Sequence, residues 1–539
     1  MPIVEPDLGG AAADAGPAPQ ETTADAVAAW LDGRSDWPYP VYLCERRDGR
    51  RRDHGWFAPP VALADLVGER GPGGIVELFL PRRTQPVPAD AAPPLRWTGI
   101  HGLEAWSGGR VARMAPSHMI AANLTWPRAL ERCRAALGGP VDRVLRVAGW
   151  SLCMPLGRGG TTRPWHRAGP PVDAVDPETV AHALGGWLVR NTAADGRLTY
   201  KYWPSRGRES PADNAVRQFM GTLALGRYAR WSGRADAMAA WTRNLDRQLA
   251  ACYREEPDGT GMIVLGGSAK LGAAAIAGLA LLEAPATPPR AAALEGLSRG
   301  IERLWRPDGS FRTFHFPRER NDNQNFYPGE ACLFWAALHG ARRDGAVLAR
   351  LLRSLDHYRD WHRAHRNPAF VPWHSQAHAA LHAATGMTER SAFVFEMNDW
   401  LLPMQQWETA PADDMRGRFY DPGRPDYGPP HAASTGAYME GLAAAIGLAR
   451  ALGEEDRAGR YVQAFRRALR NIRQLAFMDE EDFFCISRRA RVAGGVRTEV
   501  YDNTIRVDNV QHPLMAIIAA LPFLDYRQHM ETDSKPGSR

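Results

Sequence analysis

The sequence predicts a mostly helical protein. Residues 177–525 are expected to form an (α/α)6 toroid, six helical hairpins closed into a ring, preceded by a small α+β domain at 23–155. Three observations predict this. From about Pro177 onward, apolar residues recur at helical spacing with little interruption. Successive helices alternate between amphipathic and apolar all round. The links between them alternate between short turns and long loops.

The bulk numbers set the frame. The 539 residues exceed what one compact core usually organises. Apolar residues make up 45% and charged residues 23%, the balance of a soluble globular chain. The net charge of +6 is small for this length, and no arginine run is interleaved with aromatics, so no nucleic-acid partner is expected. Only three lysines (Lys201, Lys270, Lys535) stand against 63 arginines, which fits a GC-rich bacterial genome. The six cysteines are scattered with no CxxC pair, which fits free thiols and no structural zinc. No secretory leader and no run long enough to span a bilayer is read, so a cytoplasmic location without membrane contact is expected.

Residues 1–22, rich in Ala, Pro and Gly, are expected to be a disordered tail. In 23–155, strand-like runs fall at Pro40–Cys44, Ile75–Leu80, Leu95–Ile100, Arg110–Met114 and Val141–Gly149, with a helix-like run at His118–Leu137. Residues 156–176 are a Gly- and Pro-rich linker, and 526–539 a polar tail.

Twelve helices are expected in the ring, at 177–193, 212–231, 235–253, 268–283, 290–305, 329–342, 345–364, 374–385, 388–404, 433–451, 454–475 and 509–523. Of the even ones, AKLGAAAIAGLALLE is nearly apolar all round and 329–342 and 433–451 are rich in Ala and Gly, so the even helices form an inner ring. The odd ones carry charge along one side and form an outer ring. Even-to-odd links such as WSGRAD and ALGEED are short, whereas 306–328, 405–432 and 476–508 are long. Long loops on one face mark a functional rim. Three outer helices run into an Asp-Gly turn, at Gly196, Gly259 and Gly309, the echo of a repeat.

If the inner helices start at that rim, their first residues converge. Those starts carry Asp213, Asn214, Arg217 and Gln218; Lys270; Tyr327 and Glu330; Trp373, His374 and Gln376; His431; and Asp508, Gln511 and His512. Polar starts on apolar helix bodies describe a small-molecule pocket. Trp407 and Tyr427 on the 405–432 loop, with Tyr327 and Trp373, are candidates to stack on sugar faces, and the charged loop itself is a candidate lid. Paired carboxylates from Asp213, Glu330 and Asp508 suit glycoside hydrolysis. The imidazoles of His374 and His512 suit proton removal and return. Arg217 and Lys270 suit a carboxylate, phosphate or enolate.

The twelve-helix pattern resembles the six-hairpin, or (α/α)6-barrel, glycosidase superfamily, which includes glycosidases, polysaccharide lyases and sugar epimerases. Trp373-His374-Ser375-Gln376-Ala377 and Gln511-His512-Pro513-Leu514 are similar to the histidine-bearing inner helices of the N-acylglucosamine 2-epimerase branch. That resemblance implies His374 and His512 as an acid/base pair and Arg217 as a substrate binder. The expectation is a carbohydrate-active enzyme acting on a small-molecule or oligosaccharide substrate, with no metal or organic cofactor. Carboxylate-driven hydrolysis comes first, and two-histidine epimerisation is the alternative. A terpene cyclase-like enzyme or a non-catalytic scaffold would also use such a fold; Asp413-Asp414 is only a fragment of the acid motif that cyclisation needs.

Overall fold

The computed structural model describes residues 37–68, 74–88, 90, 93, 97–155, 163–164, 170–478, 482, 486 and 491–524. The two expected tails, most of the expected linker and Cys485 lie outside the described residues.

The first part of the chain is an antiparallel sheet. Its strands are β1 (Val41–Arg47), β2 (Arg50–Phe57), β3 (Ile75–Pro86), β4 (Gly102–Ser107), β5 (Arg110–Met114) and β6 (Arg143–Pro155). They lie in the order β2-β1-β3-β6-β4-β5. Three short helices, α1 (Leu63–Gly68), α2 (Pro116–Ala121) and α3 (Trp126–Leu137), accompany it. Period-two alternation puts Val41, Leu43, Leu78 and Leu80 in one core, and Tyr42, Cys44, Ile75 and Phe79 in another. By the same alternation Glu77, paired with Cys44 across the strands, falls on the second face and is fully buried.

Two expectations here need correction. The single helix expected at His118–Leu137 is two helices. Asn123, with φ of 51°, takes the left-handed position that ends α2, and Pro127 in the first turn of α3 starts the next. The strand expected at Leu95–Ile100 falls at Gly102–Ser107 instead, because Trp97–Ile100 forms a turn.

The rest of the chain is the (α/α)6 toroid. In chain order, outer and inner helices alternate. They are α4 (Pro177–Arg190), α5 (Ala215–Ser232), α6 (Ala235–Cys252), α7 (Leu271–Glu283), α8 (Pro288–Leu304), α9 (Tyr327–Arg342), α10 (Gly345–Ala364), α11 (Val371–Thr385), α12 (Ser391–Leu401), α13 (Ala432–Ala451), α14 (Glu455–Leu475) and α15 (Val507–Ala520). The inner helices α5, α7, α9, α11, α13 and α15 each pack on the next, and α15 packs on α5, so the ring is closed. Residues 271–281 of α7 are all buried, as an all-round apolar helix requires.

The Asp-Gly echo is a structural repeat. In each turn the aspartate Oδ1 accepts from the backbone two residues on: Arg197 N at 3.0 Å, Thr260 N at 2.9 Å and Ser310 N at 3.0 Å. The glycines have positive φ, and at Gly196 and Gly309 a Cβ would strike the backbone oxygens of Arg243 and Arg353 in the following outer helix. Gly494 makes the same approach to the Ala183 oxygen of α4, so the last turn closes the ring onto the first helix.

Described parts of the long links carry strands. Two four-stranded antiparallel sheets stand on the rim. One includes Ser268–Lys270 and Phe314–Phe316, and the other pairs Lys201–Trp203 with Asp502–Arg506. Lys270 is therefore the strand residue that caps α7, rather than part of its first turn. The 405–432 loop, a candidate lid, is tied to the rim strand by the buried pair Arg418–Glu499 at 2.6 Å and to α14 by the part-buried pair Arg470–Asp413 at 2.8 Å.

Candidate functional site

At the N-terminal ends of the inner helices the ring opens into a cavity of about 470 Å³. Its wall is built from α5, α9, α11, α13 and α15, so the inner-helix starts do converge. Asn214, Arg217, Lys270, Tyr327, Glu330, Trp373, Tyr427, His431, Asp508, Gln511 and His512 all line it.

The other expected residues do not. Asp213 is exposed and lines a neighbouring pocket of about 300 Å³; its Oδ1 accepts from the Gln218 amide at 2.8 Å. Gln218 is spent tying α5 to the Leu198 carbonyl at 3.1 Å and to Gln248 at 2.9 Å. Trp407 lies beneath Arg416, Arg467 and Arg470, not at the cavity. His374 is fully buried, its ring stacked 3.7 Å from Phe370, and neither nitrogen has a hydrogen-bond partner among the described residues. Burial, then the neighbouring histidines, holds its pKa well below the usual range, so it is a neutral core ring. Its helical position turns it to the outer layer, away from the face that carries Trp373 to the cavity.

The carboxylates that remain are driven apart. Asp508 is held by Arg217 at 2.7 Å and by Arg506 at 3.0 Å. Burial alone would raise its pKa, but Arg506 and Arg217 outweigh burial and keep it below the ordinary range, as a carboxylate. Glu330 has no such partner among the described residues. It is 2% exposed, and burial, reinforced by Glu440, pushes its pKa up to about 8. At neutral pH it is a carboxylic acid and a proton donor. Its Oε2 sits where a Cβ on Gly272 would be, 2.0 Å away, so only a glycine in the first turn of α7 leaves room for it.

Sequence reasoning did not single out Glu440, Arg320, Arg506 or Tyr438. Glu440 is buried within α13 and accepts from His512 Nδ1 at 3.1 Å and the Gln376 amide at 3.2 Å. Gln376 therefore acts on the cavity through Glu440. A lone glutamate in the Ala- and Gly-rich run of α13 was the available signal, because a charge on such a helix needs a partner. Arg320 and Tyr438 line the cavity, Arg320 from a loop with no motif.

The remaining polar groups are set for binding. His431 caps α13, its Nδ1 accepting from Ser434 N at 2.9 Å, and burial, with Arg506 nearby, lowers its pKa to about 4. Arg217 is further fixed by Tyr200 at 3.0 Å. Lys270 is lowered by burial and by Arg320 and Arg217, so three cations share one side of the cavity. Both amide atoms of Gln511 and Oε2 of Glu330 are buried with no partner among the described residues. These three atoms belong to residues that border the cavity. Among the described residues no group of three metal-binding side chains occurs, and no helix is long and apolar enough to cross a membrane.

No family model matches the chain, and no curated protein matches it. Solved structures similar to it include an alpha-1,6-mannanase, GH76A, of Salegentibacter sp. HEL1_6, at 12% identity and TM-score 0.46 over 64% of this chain and 99% of that one. A D-mannose isomerase is similar at 12% identity and TM-score 0.48, over 66% of this chain and 99% of that one. An unsaturated glucuronyl hydrolase specific for heparin is similar at 10% identity and TM-score 0.47, over 64% and 97%.

Proposed function

We propose that the protein is a carbohydrate-active enzyme of the glycoside hydrolase type, with Glu330 as general acid and Asp508 as its ionised partner. One observation carries the reading: two carboxyl groups line one aromatic-walled cavity, Asp508 paired with two arginines and Glu330 buried without a cationic partner among the described residues, which drives their pKa values in opposite directions. Environments that split two carboxyl pKa values assign acid and base. Glu330 would protonate the glycosidic oxygen. Asp508, charged and fixed by two arginines, would stabilise the developing oxocarbenium ion or direct the attacking water. Tyr327, Trp373 and Tyr427 offer rings for the sugar, and Gln511 and Asn214 offer hydrogen bonds to its hydroxyls. The test is a panel of aryl glycosides. Glu330→Gln should lose activity on substrates with poor leaving groups and retain more on activated aryl ones, which need no acid. Equal activity of wild type and variant across the panel would end this assignment.

A second reading has its own observation. His512, set by Glu440 at 3.1 Å, is an imidazole oriented at the cavity, as a proton-transfer isomerase needs. Since His374 is buried in the core and His431 Nδ1 is engaged in capping α13, such a reaction would pair His512 with Glu330. Solvent deuterium appearing at carbon in a recovered sugar, abolished by His512→Ala, would select this reading over hydrolysis.

A further inference from the structure

A second cleft, of about 780 Å³, lies between the N-terminal sheet and the ring. One wall is β2 and the α2–α3 segment, and the other is the turn that follows Lys201–Trp203. Four arginines line it, Arg51, Arg128, Arg132 and Arg206, against two carboxylates, Asp53 and Glu131.

These arginines are not a random surface. The Arg51 side chain is 3% exposed yet reaches the cleft. Its guanidinium pairs with Asp53 and donates to Tyr42 Oη at 3.0 Å and Ser117 Oγ at 3.4 Å, so it is fixed before any ligand arrives. Behind it the fully buried Glu77 adds negative charge when ionised, which helps keep the guanidinium in place. Arg128 and Arg132, one turn apart on α3, are exposed and form no hydrogen bond or ion pair with any described residue. Across the cleft, Arg206 lies over the Trp203 ring at 5.0 Å, flanked by Lys201 at 5.4 Å and Arg208 at 5.8 Å. A fixed, buried guanidinium with two unpartnered ones beside it and Arg206 opposite is a receptor for several oxyanions at once.

We infer that this cleft binds a multivalent oxyanion, a chain of carboxylate or phosphate groups, with Arg51 as the fixed anchor and Arg128 and Arg132 closing on the outer charges. The site is separate from the central cavity and does not depend on the chemistry assigned there. Trp203 provides an intrinsic fluorescent reporter in the wall.

The full-length chain is titrated at low ionic strength with sodium pyrophosphate and, separately, with an oligogalacturonate, following tryptophan fluorescence and heat. Whichever probe binds more tightly tells whether the natural charges are phosphate or uronate. The Arg128→Ala/Arg132→Ala variant should bind about tenfold more weakly, with the affinity of the wild type falling as salt is added. Arg134→Ala removes a charge from α3 outside the cleft and should bind as the wild type does. Both substitutions fall on exposed helix positions, so folding is retained, which circular dichroism verifies. The inference is overturned if neither probe binds at millimolar concentration, or if Arg134→Ala and the double variant weaken binding equally.

Discussion

Replacing Glu330 with glutamine should make the protein less active and, at neutral pH, relatively more stable. In the folded chain the Glu330 carboxyl is raised from an ordinary 4.5 to about 8, by burial first and by Glu440 second. The unfolded chain ionises this group near its ordinary value. Between those two values the folded state therefore holds a proton that the unfolded state releases, so stability falls as pH rises. The loss is about 1.4 kcal/mol per pH unit and ends near pH 8, where the folded group also ionises. From pH 5 to pH 7.5 the wild type should lose roughly 3 kcal/mol relative to Glu330→Gln, which cannot ionise. Denaturant midpoints of both proteins across that range measure the difference directly. The difference matters more than either curve, because Glu77, raised to about 7 by burial, contributes its own pH dependence to both proteins. Parallel stability profiles for the two proteins would refute the idea that Glu330 is held neutral, and with it the acid role.

Glu440→Gln removes the like charge that reinforces burial at Glu330, so the alkaline limb of the pH–rate profile should move down by about one unit; an unmoved limb would show that burial alone sets the acid. Gly272→Ala places a methyl 2.0 Å from Glu330 Oε2, and should lower kcat by an order of magnitude or more while the fold survives by circular dichroism. His374→Phe should leave kcat within about twofold, since the ring serves as an apolar plate against Phe370, whereas His512→Ala should not. Asn123 donates to Asp502 Oδ1 at 3.0 Å and Thr504 Oγ1 at 3.2 Å, on the strand that leads into Arg506 and Asp508. Asn123→Ala should therefore cost about 1–2 kcal/mol of stability and raise KM several-fold, a link that steady-state kinetics can test.

Much of the ring was legible because the inner helices are rich in Ala, Gly and other apolar residues, α7 on nearly every side. That pattern has one solution, burial within a layer of its own kind. The Asp-Gly turns were legible as well, since Gly196 and Gly309 sit against the oxygens of Arg243 and Arg353. The N-terminal sheet was less so. Strand β2, read as RRRDHGWF, has no apolar alternation, because it is an edge strand with Arg50, Arg52 and Asp53 exposed. The Asp48-Gly49 turn that joins it to β1 was a signal that could have found it.

The sequence by itself determined that polar groups would gather at the inner-helix starts, because helix periodicity and link length are local properties. It could not say which way each side chain turns. His374 and Trp373 are adjacent in the chain, yet one joins the outer core and the other the cavity, since neighbours on a helix point about 100° apart. Nor could it assign protonation. Glu330 and Asp508 have similar intrinsic acidity; Arg506 is Asp508's neighbour in the chain, but only the ring brings Arg217 to Asp508, and burial with Glu440 to Glu330. Charge state depends in part on groups distant in the chain, such as Arg217 for Asp508 and Glu440 for Glu330, and that is what the tertiary structure decided.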